Sequence, residues 1–202
     1  MIDQEVTERM IQVCQGLSRM LELNYQGFRI LSEKSVGEAE EMKNEIRKGS
    51  SGLTTFLISK SSSMAEGREW VKPFLSMTSG FDRISYNLEG IVDRLKGMVR
   101  ERILFSDRGN KEINNIFEEA LKLLRSIPDV ILTRNKLLVE SIEERAKTIF
   151  KSAGEYSEEH EARLIEGVCM PKSSPIYLGL LESLKAIVGH IVEVSSRIIS
   201  LS

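Results

Sequence analysis

Apolar residues recur at three- and four-residue steps along nearly the whole chain, the spacing that gathers them on one face of an α-helix. Met10, Val13, Leu17, Met20, Leu21 and Phe28 mark a first helix over about residues 3–31. A break at 32–35 follows. Ser35 and Glu38 are spaced as a capping box for a second helix that runs to about residue 61. Its centre, Gly49-Ser50-Ser51-Gly52, holds two glycines that each cost about 1 kcal/mol relative to alanine, which points to a kink or the close approach of a neighbour. The third helix is expected over about 69–105, with Pro73 in its first turns and a stripe of Ile84, Leu88, Ile91, Leu95 and Met98 close to a heptad seam. Ser106-Asp107-Arg108-Gly109-Asn110 breaks the chain there. A fourth helix over about 111–132 is expected to kink or end near Ser126, ahead of Pro128. A fifth over about 134–167 carries Gly154 as a bend, and a sixth runs over about 175–199.

The third and sixth helices resemble each other. Leu88-Glu89-Gly90-Ile91-Val92-Asp93 and Leu184-Lys185-Ala186-Ile187-Val188-Gly189 lie 96 positions apart, and the same offset pairs Ile84 with Leu180, Leu95 with Ile191 and Met98 with Val194. It carries back into the preceding helix, pairing Met42 with Leu138, Ile46 with Ile142 and Leu53 with Ile149. Two consecutive helices matching at one offset indicate an internal duplication. The expected architecture is all-α: two tandem antiparallel three-helix bundles, 1–107 and 108–202, forming one compact six-helix domain.

Composition narrows the function classes. Of the 202 residues 41% are apolar and 29% charged, with a net charge of −2, which is a globular balance without the basic surplus of a nucleic-acid binder. Cys14 and Cys169 match no zinc spacing and read as separate reduced thiols, as in a cytoplasmic protein. The N-terminus starts acidic, without a signal-peptide apolar run. The most apolar segment, near the C-terminus, is interrupted by Glu182, Lys185, His190, Glu193 and Arg197, so it reads as a buried bundle helix and not a membrane span.

Glu89 and Asp93 lie four residues apart, side by side on one helix face. Two tandem three-helix bundles with a third helix reading Leu-Glu-x-Ile-x-Asp resemble PhoU and its relatives, including the PhoU-related proteins associated with phosphate permeases. In that family the third helix typically reads Leu-Glu-Arg-Ile-x-Asp. Leu88, Glu89, Ile91 and Asp93 match it, Gly90 stands where arginine is usual, and the second copy keeps only Leu184 and Ile187. The family's second helix offers a further glutamate and aspartate. Those positions fall here on Arg47 and Ser51, and on Glu143 and Lys147.

The resemblance implies a non-catalytic cytoplasmic regulator, a homodimer that docks on a phosphate transporter or permease at the cytoplasmic membrane face, with metal clusters held by acidic motifs. Carried over by position, the metal ligands left are Glu89, Asp93 and Glu143, a degenerate site for Mg, Mn or Fe. Such hard cations want several oxygens, and two adjacent carboxylates alone leave the shell to water. The same two residues also read as solvated helix charges. Lys147 and Lys185 at matching positions of the second half favour an anion or an acidic partner there, or are simply solvated.

Two other functions stay open. A generic helical adaptor has the same sequence signature. An all-α metal-dependent phosphohydrolase would need carboxylates converging from several helices, for which Glu118-Glu119, Glu143-Glu144 and Glu89/Asp93 are the available acids. Glu158-Glu159-His160-Glu161 with Arg163 reads as a solvated helix end. Trp70 reads as an anchor for the start of the third helix, and the scattered methionines as core filling.

Overall fold

A computed structural model describes residues 3–63 and 67–200. Its elements are α1 (Gln4–Ile30), α2 (Glu33–Ser61), α3 (Gly67–Arg100), α4 (Asp107–Thr133), α5 (Lys136–Ile165), a 3-10 turn (Pro171–Ser173) and α6 (Ser174–Ile199), with no strand among the described residues. The apolar stripes read from the sequence are the core: Met10, Leu17, Leu21, Ile84, Leu88, Ile91 and Leu95 are all buried.

Four helices, α1, α3, α4 and α6, pack around the centre, and α2 and α5 lie on the outside. Contacts set their directions. Asn24 Nδ2 donates to Leu88 O, and Gly27 lies near Leu95, so α1 and α3 run parallel. Gly80 faces Val194 and Gly90 faces Ser183, so α3 and α6 run antiparallel. Tyr25 and Phe28 stack on Phe117 while Arg125 reaches Glu22, so α1 and α4 are antiparallel too. The outer helices accordingly bury fewer residues than α1, α4 or α6.

Three helix ends share a feature that the sequence does not announce. Leu31, Arg102 and Arg134 take left-handed backbone with φ of 48, 49 and 50°, a conformation that usually announces itself as glycine. Leu31 ends α1, and Ser32, not Ser35, caps α2 by accepting from the Ser35 amide. Arg102 follows the end of α3, where the Ile103 amide donates back to Met98 O, so α3 stops at Arg100 and not near Phe105. Pro128 does not end α4, which continues through it to Thr133, and α5 runs unbroken past Gly154.

Helix ends also correct the register of the repeat. The N-caps Asp3 and Ser106, the C-caps Leu31 and Arg134, and the N-caps Ser32 and Asn135 are each 103 positions apart. At an offset of 96 the first residue of α3, Gly67, would fall on Arg163 inside α5. At 103 it falls on Met170, the residue that opens the 3-10 turn before α6. The two offsets differ by one heptad, two helical turns, which returns every apolar stripe to the same face. Phe81, Ile84, Leu88 and Ile91 therefore meet buried α6 residues at either offset.

The segment Pro171–Ile199 is long and apolar enough to cross a membrane by length and composition. Here its apolar residues pack against α3, α4 and α5, with Leu180, Leu184, Ile187, Val188 and Ile191 fully enclosed.

Candidate functional site

The helix face that carries Glu89 is half of a polar seam between α2 and α3. α2 supplies Glu40, Lys43, Arg47 and Ser50, spaced three and four apart, and α3 supplies Asp82, Glu89 and Lys96, spaced seven apart, so one side of each helix is committed to the other. Arg47 grips Glu89 with two parallel bonds, Nε to Oε1 at 3.0 Å and Nη2 to Oε2 at 2.7 Å. Lys43 Nζ lies 3.0 Å from the same Oε2. The Glu89 side chain is only 11% exposed, so both of its oxygens are spent on these cations. Lys96 donates to Glu40, and the Ser50 hydroxyl donates to Asp82.

The three residues expected to hold metal do not gather. Asp93 is exposed on α3, one turn beyond Glu89. Glu143 lies on α5 and accepts from the Ser196 hydroxyl of α6 at 3.0 Å. Lys96, close in sequence to Asp93, turns to Glu40. Among the described residues no three His, Cys, Asp or Glu side chains are arranged to hold an ion. The metal implied by the family resemblance therefore does not fit the residues present: Glu89, the most enclosed of the three carboxylates, already faces two fixed positive charges. At the corrected register the seam's counterparts in the second half are Glu143, Ala146, Phe150 and Ala153 on α5 with Lys185, Val192 and Ile199 on α6, a largely apolar set.

A second cluster lies where α4, α5 and α6 meet, and sequence reasoning missed it. Glu112 receives two bonds from Arg163, at 2.9 and 2.7 Å, one from Arg108 at 3.0 Å and one from the Tyr177 hydroxyl. Arg108 also donates to Glu159. His160 is 2% exposed, stacks on the Tyr177 ring with centroids 4.2 Å apart, and shares a hydrogen bond of 2.9 Å with the Ser174 hydroxyl. It is a core residue and not part of a solvated helix end. The one available signal was spacing: His160 and Arg163 continue the buried stripe of Ile142, Ala146, Ile149 and Ala153.

Electrostatics follow the contacts. Burial works to raise the Glu112 pKa, but hydrogen bonds from Arg163 and Tyr177 outweigh it and hold the carboxyl below its usual range. Burial, then the nearby Arg163 charge, lowers the His160 pKa below 6.5. Burial and the Glu112 carboxylate push the Tyr177 phenol up. Both cysteines are unbridged, and burial raises the Cys14 thiol, which makes it unreactive.

Beside this cluster a cavity of about 220 Å³ is lined by Leu104, Phe105, His160, Val168, Cys169 and Tyr177 among others. Leu104 and Phe105 also line an adjoining cleft with Phe28, Ile30 and Met98. Ile30, Leu104, Val168 and Met170 are exposed around these openings, so this end of the bundle carries a group of exposed apolar side chains.

No family model matches the sequence, and no curated protein matches it. Solved structures do match. The crystal structure of PhoU from Pseudomonas aeruginosa superimposes with a TM-score of 0.88 over 98% of this chain and 95% of that one, at 14% identity. The phosphate transport system regulatory protein PhoU from Streptococcus pneumoniae superimposes with a TM-score of 0.84 over 98% of this chain and 93% of that one, also at 14% identity. The chain therefore has the PhoU fold over nearly its whole length.

Proposed function

We propose that this chain, built on the PhoU fold, is a non-catalytic regulator of phosphate transport. The observation that carries the reading is the superposition at a TM-score of 0.88, with 98% of one chain and 95% of the other covered. Agreement over nearly the whole length goes beyond what a shared three-helix motif requires. In this reading the protein is cytoplasmic, forms a homodimer and docks at the cytoplasmic membrane face on a phosphate transporter or permease. Its effect is occupancy of that surface, with no bond made or broken.

The acids weigh against a phosphohydrolase. Glu118 accepts from the Tyr25 hydroxyl, Glu119 from Lys122 and Arg145, Glu143 from Ser196 and Glu89 from Arg47. They serve separate partners on separate helices, and among the described residues no carboxylate set converges on one ion. The test is phosphate uptake in a deletion strain, together with affinity capture from crosslinked native membranes. Deregulated uptake and recovery of a phosphate-transport subunit are expected. Unchanged uptake, with a partner unrelated to transport, would replace this reading with that of a general helical adaptor.

A further inference from the structure

We infer that Arg47 and Lys43 supply, as side chains, the positive charge that the Glu89 position would otherwise draw from a bound cation, so that the α2–α3 seam is held without metal. Both carboxylate oxygens of Glu89 are engaged, in the fork geometry that suits guanidinium to carboxylate, and the Lys43 ammonium adds an ion pair at 3.0 Å. A divalent ion approaching those oxygens would have to displace the fork while facing two fixed charges about 3 Å from its ligands. Of the seam's other acids, Glu40 is paired with Lys96, and Asp82 accepts from the neutral Ser50 hydroxyl. The remaining neighbour, Asp93, is exposed and offers one carboxylate, too few for a hard cation.

The seam is thus a ladder across one helix pair. Its counterpart in the other half is mostly apolar, with Phe150 at the position of Arg47 and Val192 at that of Glu89. On the face that meets the last helix of its own half, α2 carries paired charges where α5 carries mostly apolar residues, and neither face calls for an ion. Every readout that tests this uses the isolated chain, so its outcome does not depend on the transport reading.

The experiment measures metal content of chelator-free protein by elemental analysis, before and after exposure to millimolar Mg²⁺, Mn²⁺ or Fe³⁺ followed by desalting. It pairs this with a double-mutant cycle of Glu89→Gln and Arg47→Met, read by urea unfolding with and without EDTA. We expect no stoichiometric ion, no effect of EDTA, and a coupling of about fivefold in the unfolding equilibrium constant between the two residues. An ion held at one or more per chain and lost in Glu89→Gln would overturn the inference. So would a cycle whose coupling is indistinguishable from unity. Should a variant fail to fold, the metal content of the unsubstituted protein and its response to EDTA decide the question.

Discussion

Arg163 of α5 meets both carboxylate oxygens of Glu112 in α4, at 2.9 and 2.7 Å, with both side chains nine-tenths or more buried. The two are 51 positions apart in sequence, and Tyr177 of α6 closes the group by donating to the same carboxylate. One ion pair thereby ties together the three helices that follow the chain's central break.

Removing either charge strands the other in a low-dielectric setting. Glu112→Gln and Arg163→Met are each expected to lower the unfolding free energy by about 2–3 kcal/mol. The double variant should lose less than the sum, since it removes both buried charges. Urea unfolding of the four proteins measures this, and strict additivity would show that the pair is not coupled.

The same cluster sets the acid limb of stability. The folded Glu112 carboxyl is depressed, so its contribution is complete above the ordinary glutamate range and is lost as pH falls through the folded value. His160 acts earlier. Its folded pKa lies below 6.5, so the unfolded chain binds its proton first, and stability begins to fall as pH drops below that value. The unfolding midpoint is therefore expected to decline in two stages, with His160→Asn flattening the upper one. Proton-detected imidazole titration should place the His160 midpoint below 6.5.

An alkaline limb belongs to Tyr25. Burial, then the hydrogen bond to Glu118 at 2.6 Å, pushes its phenol up to about 12. The unfolded tyrosine ionises near 10, so stability is constant below that pH and falls as pH rises from there through the folded value. Ultraviolet titration of the four tyrosines should show a late phase that includes Tyr25 and Tyr177. Tyr25→Phe should remove part of the late phase and soften the alkaline decline.

Close packing of α3 on α6 depends on Gly80. A Cβ there would fall 2.5 Å from Val194 Cγ2, a stiff branched side chain in the core. Gly80→Ala is expected to destabilise by about 1–2 kcal/mol, the overpacking cost outweighing the gain in helix propensity. Gly154, also in mid-helix, has nothing within 4 Å of where a Cβ would stand, and Gly154→Ala should stabilise by about 0.5–1 kcal/mol. Thermal melts of the two variants should move in opposite directions.

Much of the fold was legible because it depends on local period. The stripes at Met10 to Phe28 and Ile84 to Met98 set where helices run and which faces they bury. Helix ends were less legible. Leu31, Arg102 and Arg134 adopt left-handed backbone without being glycine, and Pro128 sits inside a helix it was expected to kink or end. These ends are closed by backbone hydrogen bonds, such as Ile103 N to Met98 O and Arg134 N to Val130 O, which any residue type can make, so no particular residue marks them in the sequence.

The sequence by itself determined an all-α chain, its apolar faces and the likeness between its halves, since each follows from spacing along one helix. Only the tertiary structure decided the repeat offset of 103, because a heptad shift returns every apolar stripe to the same face and leaves periodicity unchanged. It alone brought Arg47 to Glu89, 42 positions away, and His160 to Tyr177. Pairings between helices depend on which turn meets which turn, and that is fixed by packing across the whole bundle and not by any local pattern.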